Sequence, residues 1–171
     1  MSLLAIVQWL NETPLSVYLR ESELAFPLTE AIHLLGLAVS VGTIVWVDLR
    51  LMGLSLRRER VSDVVSRLEP WAKLGFVVMF VSGLLLFLGK PENYYTTTPF
   101  RIKMLLLPLA GLNILFFHKR VYPNVAQWDR DAVVPWQGRM VGSASVILWL
   151  AIIVLGRWTA YFADELFRRS R

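Results

Sequence analysis

Four long apolar segments, separated by polar stretches, dominate the pattern of this chain. They cover about residues 26–49, 71–88, 100–117 and 141–162. A helix needs on the order of 20 apolar residues to cross a hydrocarbon layer about 30 Å thick, so each segment is long enough to span a membrane. We predict an all-α integral membrane protein, a four-helix bundle that forms one domain over residues 1–171.

The stretch before the first span, residues 1–24, predicts short interfacial helices rather than a fifth span. Thr13 precedes Pro14, a pair typical of a helix N-cap and the first helical position, and the predicted helix ends near Arg20. Aromatic and apolar side chains here, such as Trp9 and Tyr18, suit an element at the membrane surface. The first ten residues lack the basic region and cleavage site of a signal peptide, so we expect them in the mature protein.

The composition agrees with a membrane protein and excludes several classes of site. Hydrophobic residues make up 56% of the chain and charged residues 18%, with a mean hydropathy of +0.51, whereas a soluble domain has about a quarter charged residues. The chain has no cysteine, which excludes disulfides, thiolate metal sites, iron–sulfur clusters and covalently attached c-type haem. The net charge of +5 comes from residues that flank apolar segments, so we expect a lipid bilayer and no nucleic acid as partner.

The basic residues also predict the topology. Most of them lie in or beside the connections between spans one and two and between spans three and four. These are Arg50, Arg57, Arg58, Arg60, Arg67, Lys73, Lys119, Arg120, Arg130 and Arg139. Cytoplasmic loops are enriched in Lys and Arg, so we expect both connections in the cytoplasm and both termini on the outer side. Residues 57–69 predict a short surface helix, and residues 89–99, on the outer side, predict turns.

His33 is the first candidate for chemistry. It is one of two histidines in the chain and lies about one and a half turns inside the first span. An ionisable ring is costly to place in a membrane and usually serves there as a metal or haem ligand or a proton relay. Gly36, Ser40 and Thr43 continue the same side of this helix with small side chains. This stripe predicts either close helix packing or a groove that admits a flat macrocycle.

Other polar residues share the predicted depth of His33 near the outer side. They are Glu30, Arg101, Lys103, Arg157 and Tyr161. Glu30 alone cannot neutralise the cations, and cations in a membrane need an anionic counterpart. The cluster therefore predicts an anionic ligand, such as haem propionates, a tetrapyrrole carboxylate, a lipid phosphate or a quinone headgroup. The alternative is a Glu30–Arg157 ion pair that fixes helix packing, with the other cations extended to the surface.

His118 ends the third span on the opposite side of the membrane. It lies roughly 22 Å deeper than Lys103 at the α-helical rise of about 1.5 Å per residue, so His33 and His118 cannot both ligate one iron. A second polar cluster surrounds His118 and includes Asp48 and Arg50. This cluster predicts interfacial anchoring, and a separate metal or haem site at His118 is the alternative.

Three short stretches carry a resemblance to known membrane proteins. They are Glu30-Ala31-Ile32-His33, Phe100-Arg101-Ile102-Lys103-Met104-Leu105-Leu106 and Phe116-Phe117-His118. The chain resembles an uncharacterised family of four-helix bacterial inner-membrane proteins over nearly its whole length. It is also distantly similar to HemJ-type protoporphyrinogen oxidases and, more loosely, to the membrane region of CopD-type copper-resistance proteins. The HemJ-type resemblance implies that His33 ligates haem b and that Lys103 is essential.

Together these features predict a membrane-embedded b-type haem protein that transfers electrons, with a quinone or an outer redox protein as partner. His33 would be the axial ligand, Glu30 or a backbone carbonyl would orient its ring, and Arg157 with Lys103 or Arg101 would bind propionates. One alternative is an oxidoreductase of the HemJ type that acts on a tetrapyrrole. Another is a non-catalytic accessory subunit of a larger membrane complex, or a homo-oligomer.

Overall fold

The computed structural model describes residues 3–131 and 133–169, with side chains to residue 162. Within these ranges it is helical without strands. The helices are α1 (Leu3–Asn11), α2 (Pro14–Glu21), α3 (Ala25–Leu51), α4 (Val61–Gly89), α5 (Pro91–Thr96), α6 (Thr98–Phe116) and α7 (Trp136–Arg169). A π-helical turn, Phe117–Val121, and a 3-10 segment, Tyr122–Gln127, follow α6. The predicted all-α class is confirmed.

Four of the helices are long and apolar enough to cross a membrane: α3, α4, α7, and α6 with the turns that continue it. Their most apolar windows are only 11–33% buried inside the protein. Apolar side chains that face outward along a span are stable in lipid and not in water. The chain is therefore a multi-pass membrane protein built as a four-helix bundle, as predicted.

The bundle has two ends, which we name by what they contain. The terminal face contains α1, α2, α5 and the C-terminal end of α7. The loop face contains the connections of residues 52–60, 117–131 and 133–135. Because the chain crosses the bundle four times, α1 and the C-terminal end of α7 lie at the same end.

Small residues bring α3 and α4 into close contact. A Cβ atom added to Gly75 would lie 2.6 Å from the backbone nitrogen of Ser40, and one added to Gly36 would lie 2.9 Å from that of Met79. The Ser40 hydroxyl donates to the Ala72 carbonyl at 3.1 Å. Gly36 and Ser40, both in the stripe predicted from the sequence, thus allow close approach of two spans.

We call the contact between two neighbouring spans a seam. The seam between α4 and α6 has the fewest close backbone approaches of the four seams around the bundle. Helix α3 packs against α4 and α7, and α7 against α6, but no Cα atoms of α4 and α6 approach within 8 Å among the described residues. At the terminal face Phe87 stacks on Phe100 with ring centroids 5.5 Å apart. At the loop face His118 Nε2 lies 3.8 Å from Glu69 Oε1. Between α4 and α6 themselves, side chains alone make the contacts, whereas the 3-10 segment after α6 packs closely against α4 at the loop face.

Three local features can be compared with the sequence-based expectations. The predicted α2 is confirmed, since the Thr13 side chain accepts from the Ser16 backbone nitrogen and Pro14 opens the helix. The surface helix expected over residues 57–69 is not a separate element, because α4 runs without interruption from Val61 through Pro70 into the span. The turns expected after α4 include the short helix α5, which starts at a proline suited to the first helical position.

Candidate functional site

The His33 side chain turns from α3 toward α4 and hydrogen-bonds there. Its Nδ1 lies 3.1 Å from Ser82 Oγ. The Ser82 hydroxyl donates to the Val78 carbonyl at 2.6 Å, with the Met79 carbonyl at 3.2 Å as a second acceptor. A hydroxyl has one hydrogen, so its oxygen is left to accept from the ring. This arrangement favours the tautomer with hydrogen on Nδ1, which leaves a lone pair on Nε2.

Gly83 allows the imidazole to lie against the backbone of α4. A Cβ atom at this position would lie 3.1 Å from His33 Cε1 and 3.5 Å from Nδ1. Any side chain here would press on the ring, so the two neighbouring residues Ser82 and Gly83 together set its orientation. The ring is half-buried.

Lys103 reaches the same region from α6. A Cβ atom at Gly156 of α7 would lie 3.5 Å from Lys103 Nζ. The ammonium group therefore lies beside α7 at a position where that helix has no side chain. The positive charge of Lys103 acts on the His33 ring. No ion pair of Lys103 with an acidic side chain is found among the described residues. The four spans thus converge on one place, which we call the His33–Lys103 site.

The two arginines predicted beside His33 bind tyrosines instead. Arg101 donates from Nε to the Tyr95 carbonyl at 2.9 Å and lies over the Tyr95 ring, 5.1 Å from its centroid. Arg157 donates to the Tyr161 hydroxyl at 3.2 Å and lies 4.7 Å from the centroid of that ring. Both arginines are exposed at the terminal face. Such cation–π pairs suit headgroup depth, and the structure does not bring either arginine to the imidazole.

Glu30 does not have the contacts predicted for it. It is half-buried, and neither a hydrogen bond nor an ion pair of its side chain is found among the described residues. The expected Glu30–Arg157 ion pair is absent there because Arg157 turns to Tyr161. The ring of His33 is oriented by Ser82, which the sequence indicated only as a small residue.

His118 lies apart from this site, at the loop face. Its Nε2 is 3.8 Å from Glu69 Oε1, a carboxylate that also pairs with Lys73 at 2.7 Å. The His118 ring packs against those of Phe117 and Tyr122, with centroids 5.2 and 5.9 Å away. These contacts join His118 to α4 and to its neighbouring aromatic rings, and both the anchoring role and the alternative metal site at His118 stay predictions.

Arg50 joins the connections of the loop face. Its side chain is fully buried. Its Nε donates to the Glu59 carbonyl at 2.9 Å, and its Nη2 donates to the carbonyls of Asp129 and Asp131 at 3.4 and 3.3 Å. One guanidinium group thus holds two loops that are far apart in the sequence.

Asp129 completes this network by capping α4. Its carboxylate accepts from the Ser62 backbone nitrogen at 2.8 Å and from the Ser62 hydroxyl at 2.6 Å. Partial burial acts to raise the pKa of the Asp129 carboxyl, but the hydrogen bonds from Ser62 and the nearby charges of Arg60 and Arg50 outweigh it, so the net pKa lies below the usual value. This distant cap explains why α4 begins at Val61.

The four spans and the polar site between them define the chain as a polytopic α-helical membrane protein with an intramembrane histidine–lysine pair. The chain belongs to DUF6644, a family of unknown function, which it matches over residues 15–162. No curated protein and no solved structure matches it. The match covers all four spans, so the fold and the His33–Lys103 site lie within the family's common region.

Proposed function

We propose that the protein is a membrane-embedded b-type haem protein that transfers electrons, with His33 as an axial ligand. The hydrogen bond between His33 Nδ1 and Ser82 carries this proposal. Histidines that ligate metals almost always donate their other ring N–H to an acceptor, which fixes the tautomer and makes the ligand nitrogen more basic. The hydrogen-bond partners of the ring are Ser82 and the backbone of Met79, both on α4, and a ring with its hydrogen on Nδ1 would offer the Nε2 lone pair to iron.

The residues around His33 fit a haem group. Gly83 and Gly156 let the imidazole and the Lys103 ammonium group settle against helix backbones. Only side chains connect α4 and α6. A flat macrocycle could therefore lie between these two spans. Lys103 supplies a positive charge for a propionate. Haem bound here would supply one-electron redox chemistry.

We further propose that the loop face lies in the cytoplasm and the terminal face on the outer side of a bacterial inner membrane. The support is the concentration of basic residues in the connections at the loop face. In this orientation the His33–Lys103 site lies toward the outer side, within reach of a membrane quinol or an outer redox protein.

A second candidate function is the oxidation of a tetrapyrrole that carries carboxylates, as the resemblance to HemJ-type oxidases implies. One observation favours it: Lys103 lies close enough for its charge to act on the His33 ring, and it forms no ion pair with an acidic side chain in the described part of the chain. A cation in a membrane requires an anionic counterpart. In this function Lys103 would hold a substrate carboxylate next to the redox centre.

The absorption spectrum of purified protein tests haem binding. After expression with ample haem supply, we expect a Soret band that His33→Ala abolishes. His118→Ala is the matched control, because it removes the other histidine at the opposite end of the bundle, and it should leave the band unchanged. No Soret band in the parent protein, or an unchanged band in His33→Ala, would refute the proposal.

Complementation of a bacterial strain that lacks protoporphyrinogen oxidase separates the two functions. If the protein is such an oxidase, it restores growth, and Lys103→Met abolishes growth while the Soret band persists. Lys73→Met is the matched control, since Lys73 is largely exposed and pairs with Glu69. Failure of the parent protein to complement, with haem bound, supports electron transfer alone.

A further inference from the structure

A second intramembrane polar group, Asp48, lies far from the His33–Lys103 site. It is on α3, fifteen residues after His33, which corresponds to roughly 22 Å along a helix axis. Its side chain is only 4% exposed. One carboxyl oxygen, Oδ2, has no hydrogen-bond partner. The remaining polar contact is with the hydroxyl of Ser145 on α7.

The close approach of α3 and α7 excludes water from this carboxyl. A Cβ atom added to Gly142 would lie 2.9 Å from the backbone carbonyl oxygen of Asp48. Along both helices, apolar clusters flank the polar pair. Leu51 and Val141 belong to the cluster on the loop-face side, and Val41 and Trp149 belong to the cluster on the other side.

No opposite charge compensates Asp48. Of the elements packed against α3, helix α7 presents Ser145 to the carboxyl, and no charged or titratable side chain of α2, α4 or α7 acts on it among the described residues. Arg50, on the same helix, directs its guanidinium group to the carbonyls of the loop face. An ionised carboxylate would therefore be both desolvated and unpaired.

We propose that Asp48 is a proton-binding site inside the membrane, whose carboxyl group carries a proton at neutral pH and exchanges it with water at the loop face. A bound proton removes the charge that burial penalises. The protonated carboxyl group also fits its contacts, because it can accept a hydrogen bond from Ser145 at one oxygen and hold its hydrogen on the other. A metal cation would need several oxygen ligands, and the tight contact at Gly142 gives no room for its water shell. Asp48 lies only three residues before the end of α3, which places it close to the aqueous phase.

Infrared spectroscopy of the full-length protein in detergent tests this proposal. At neutral pH we expect the carbonyl stretch of a protonated carboxylic acid, which Asp48→Asn removes. Asp131→Asn is the matched control, because it neutralises an exposed aspartate at the loop face, and it should leave the band in place. Transfer to D₂O should shift the band as the acidic proton exchanges.

A second variant keeps the test valid if Asp48→Asn does not fold. Ser145→Ala retains the carboxyl but removes its hydrogen-bond donor, so the band should persist and move to higher frequency. The proposal is overturned if the parent protein shows no such band at neutral pH, if Asp48→Asn retains it, or if it never shifts in D₂O.

Discussion

The loop face and the His33–Lys103 site both hold polar groups at the ends of apolar spans, but they differ in how those groups are bonded. At the loop face Arg50 donates to three carbonyls, and Asp129 accepts two hydrogen bonds from Ser62. At the other site, the His33 ring bonds to α4 through Ser82 and the Met79 backbone, and Lys103 Nζ has no hydrogen-bond or ion-pair partner among the described residues. The first arrangement accounts for stability within the chain, whereas the second is the basis of the proposed ligand site.

If burial alone were the criterion, Arg50 at the loop face would be a stronger candidate for a functional residue than His33 or Lys103. Arg50 is fully buried, whereas His33 and Lys103 are only partly so. Arg50 makes three hydrogen bonds to loop carbonyls through Nε and Nη2, although its Nη1 has no partner, and a buried charge held mainly by such bonds is a structural element. We interpret a partly buried polar group without a bonding partner as a candidate ligand-binding group. Each of the following variants tests either the loop face or the His33–Lys103 site.

The largest effect on stability is expected at Arg50. Arg50→Met leaves three loop carbonyls without their donor and should lower the free energy of unfolding by about 3–5 kcal/mol. Unfolding in detergent measures this loss. The matched control is Arg57→Met, since Arg57 is exposed and bonds only to the Gly53 carbonyl. A loss below about 1 kcal/mol would mean that the loops do not depend on this guanidinium group.

Ser82→Ala should act on the ligand rather than on the fold. Removing the hydrogen-bond partner of a metal-ligating histidine typically weakens metal affinity 10–100-fold, or about 1.4–2.8 kcal/mol. A haem titration of the apoprotein measures the change, with Ser66→Ala as control, because Ser66 is exposed near the loop face of the same helix. An unchanged haem affinity would remove the main support for His33 as a ligand.

Asp129→Ala should remove the cap of α4 and cost about 1 kcal/mol of stability. Because the pKa of Asp129 is lowered in the folded protein, its stabilisation is complete above the ordinary aspartate pKa of about 4 and is lost as the pH falls through the folded value. Unfolding measured across this acidic range should show a smaller pH dependence in Asp129→Asn. The exposed Asp131→Asn serves as control, and equal profiles for all three proteins would contradict the cap.

The smallest effect is expected at the ion pairs of Glu69. Glu69→Gln weakens its contacts with Lys73 and His118, but Lys73 is 72% exposed, so the loss should stay below about 0.5 kcal/mol. Thermal unfolding in detergent checks it. A loss above about 1 kcal/mol would show that the bridge between α4 and His118 stabilises the bundle more than surface pairs usually do.

The elements that lipid requires could be predicted from the sequence. A span must be long and apolar, so the four segments were apparent from their composition, and the local Thr13–Pro14 pattern fixed the start of α2. The start of α4 could not be predicted in this way, because its cap, Asp129, comes 67 residues after Ser62 in the chain.

The candidate site was only partly predictable, because some of its contacts join residues that are far apart in the sequence. Depth along the helices placed His33 and Lys103 at one level. The partner of His33 depends on how α3 is rotated against α4, and contacts such as that of Gly36 with the backbone of α4 set this rotation. The turn of Arg157 toward Tyr161 has a local signal, since residues four apart lie on the same helix face.

The described part of the bundle has no close backbone contact between α4 and α6 along the apolar length of these spans, although Phe87 stacks on Phe100 at one end and the loop-face cluster closes the other; on the proposed function, this side can be entered laterally, from among the acyl chains. A hydrophobic pigment would then reach its binding position without passing through water and without separation of the remaining helices. If the proposed haem binding holds, membrane insertion of the polypeptide and uptake of the pigment would be two independent steps.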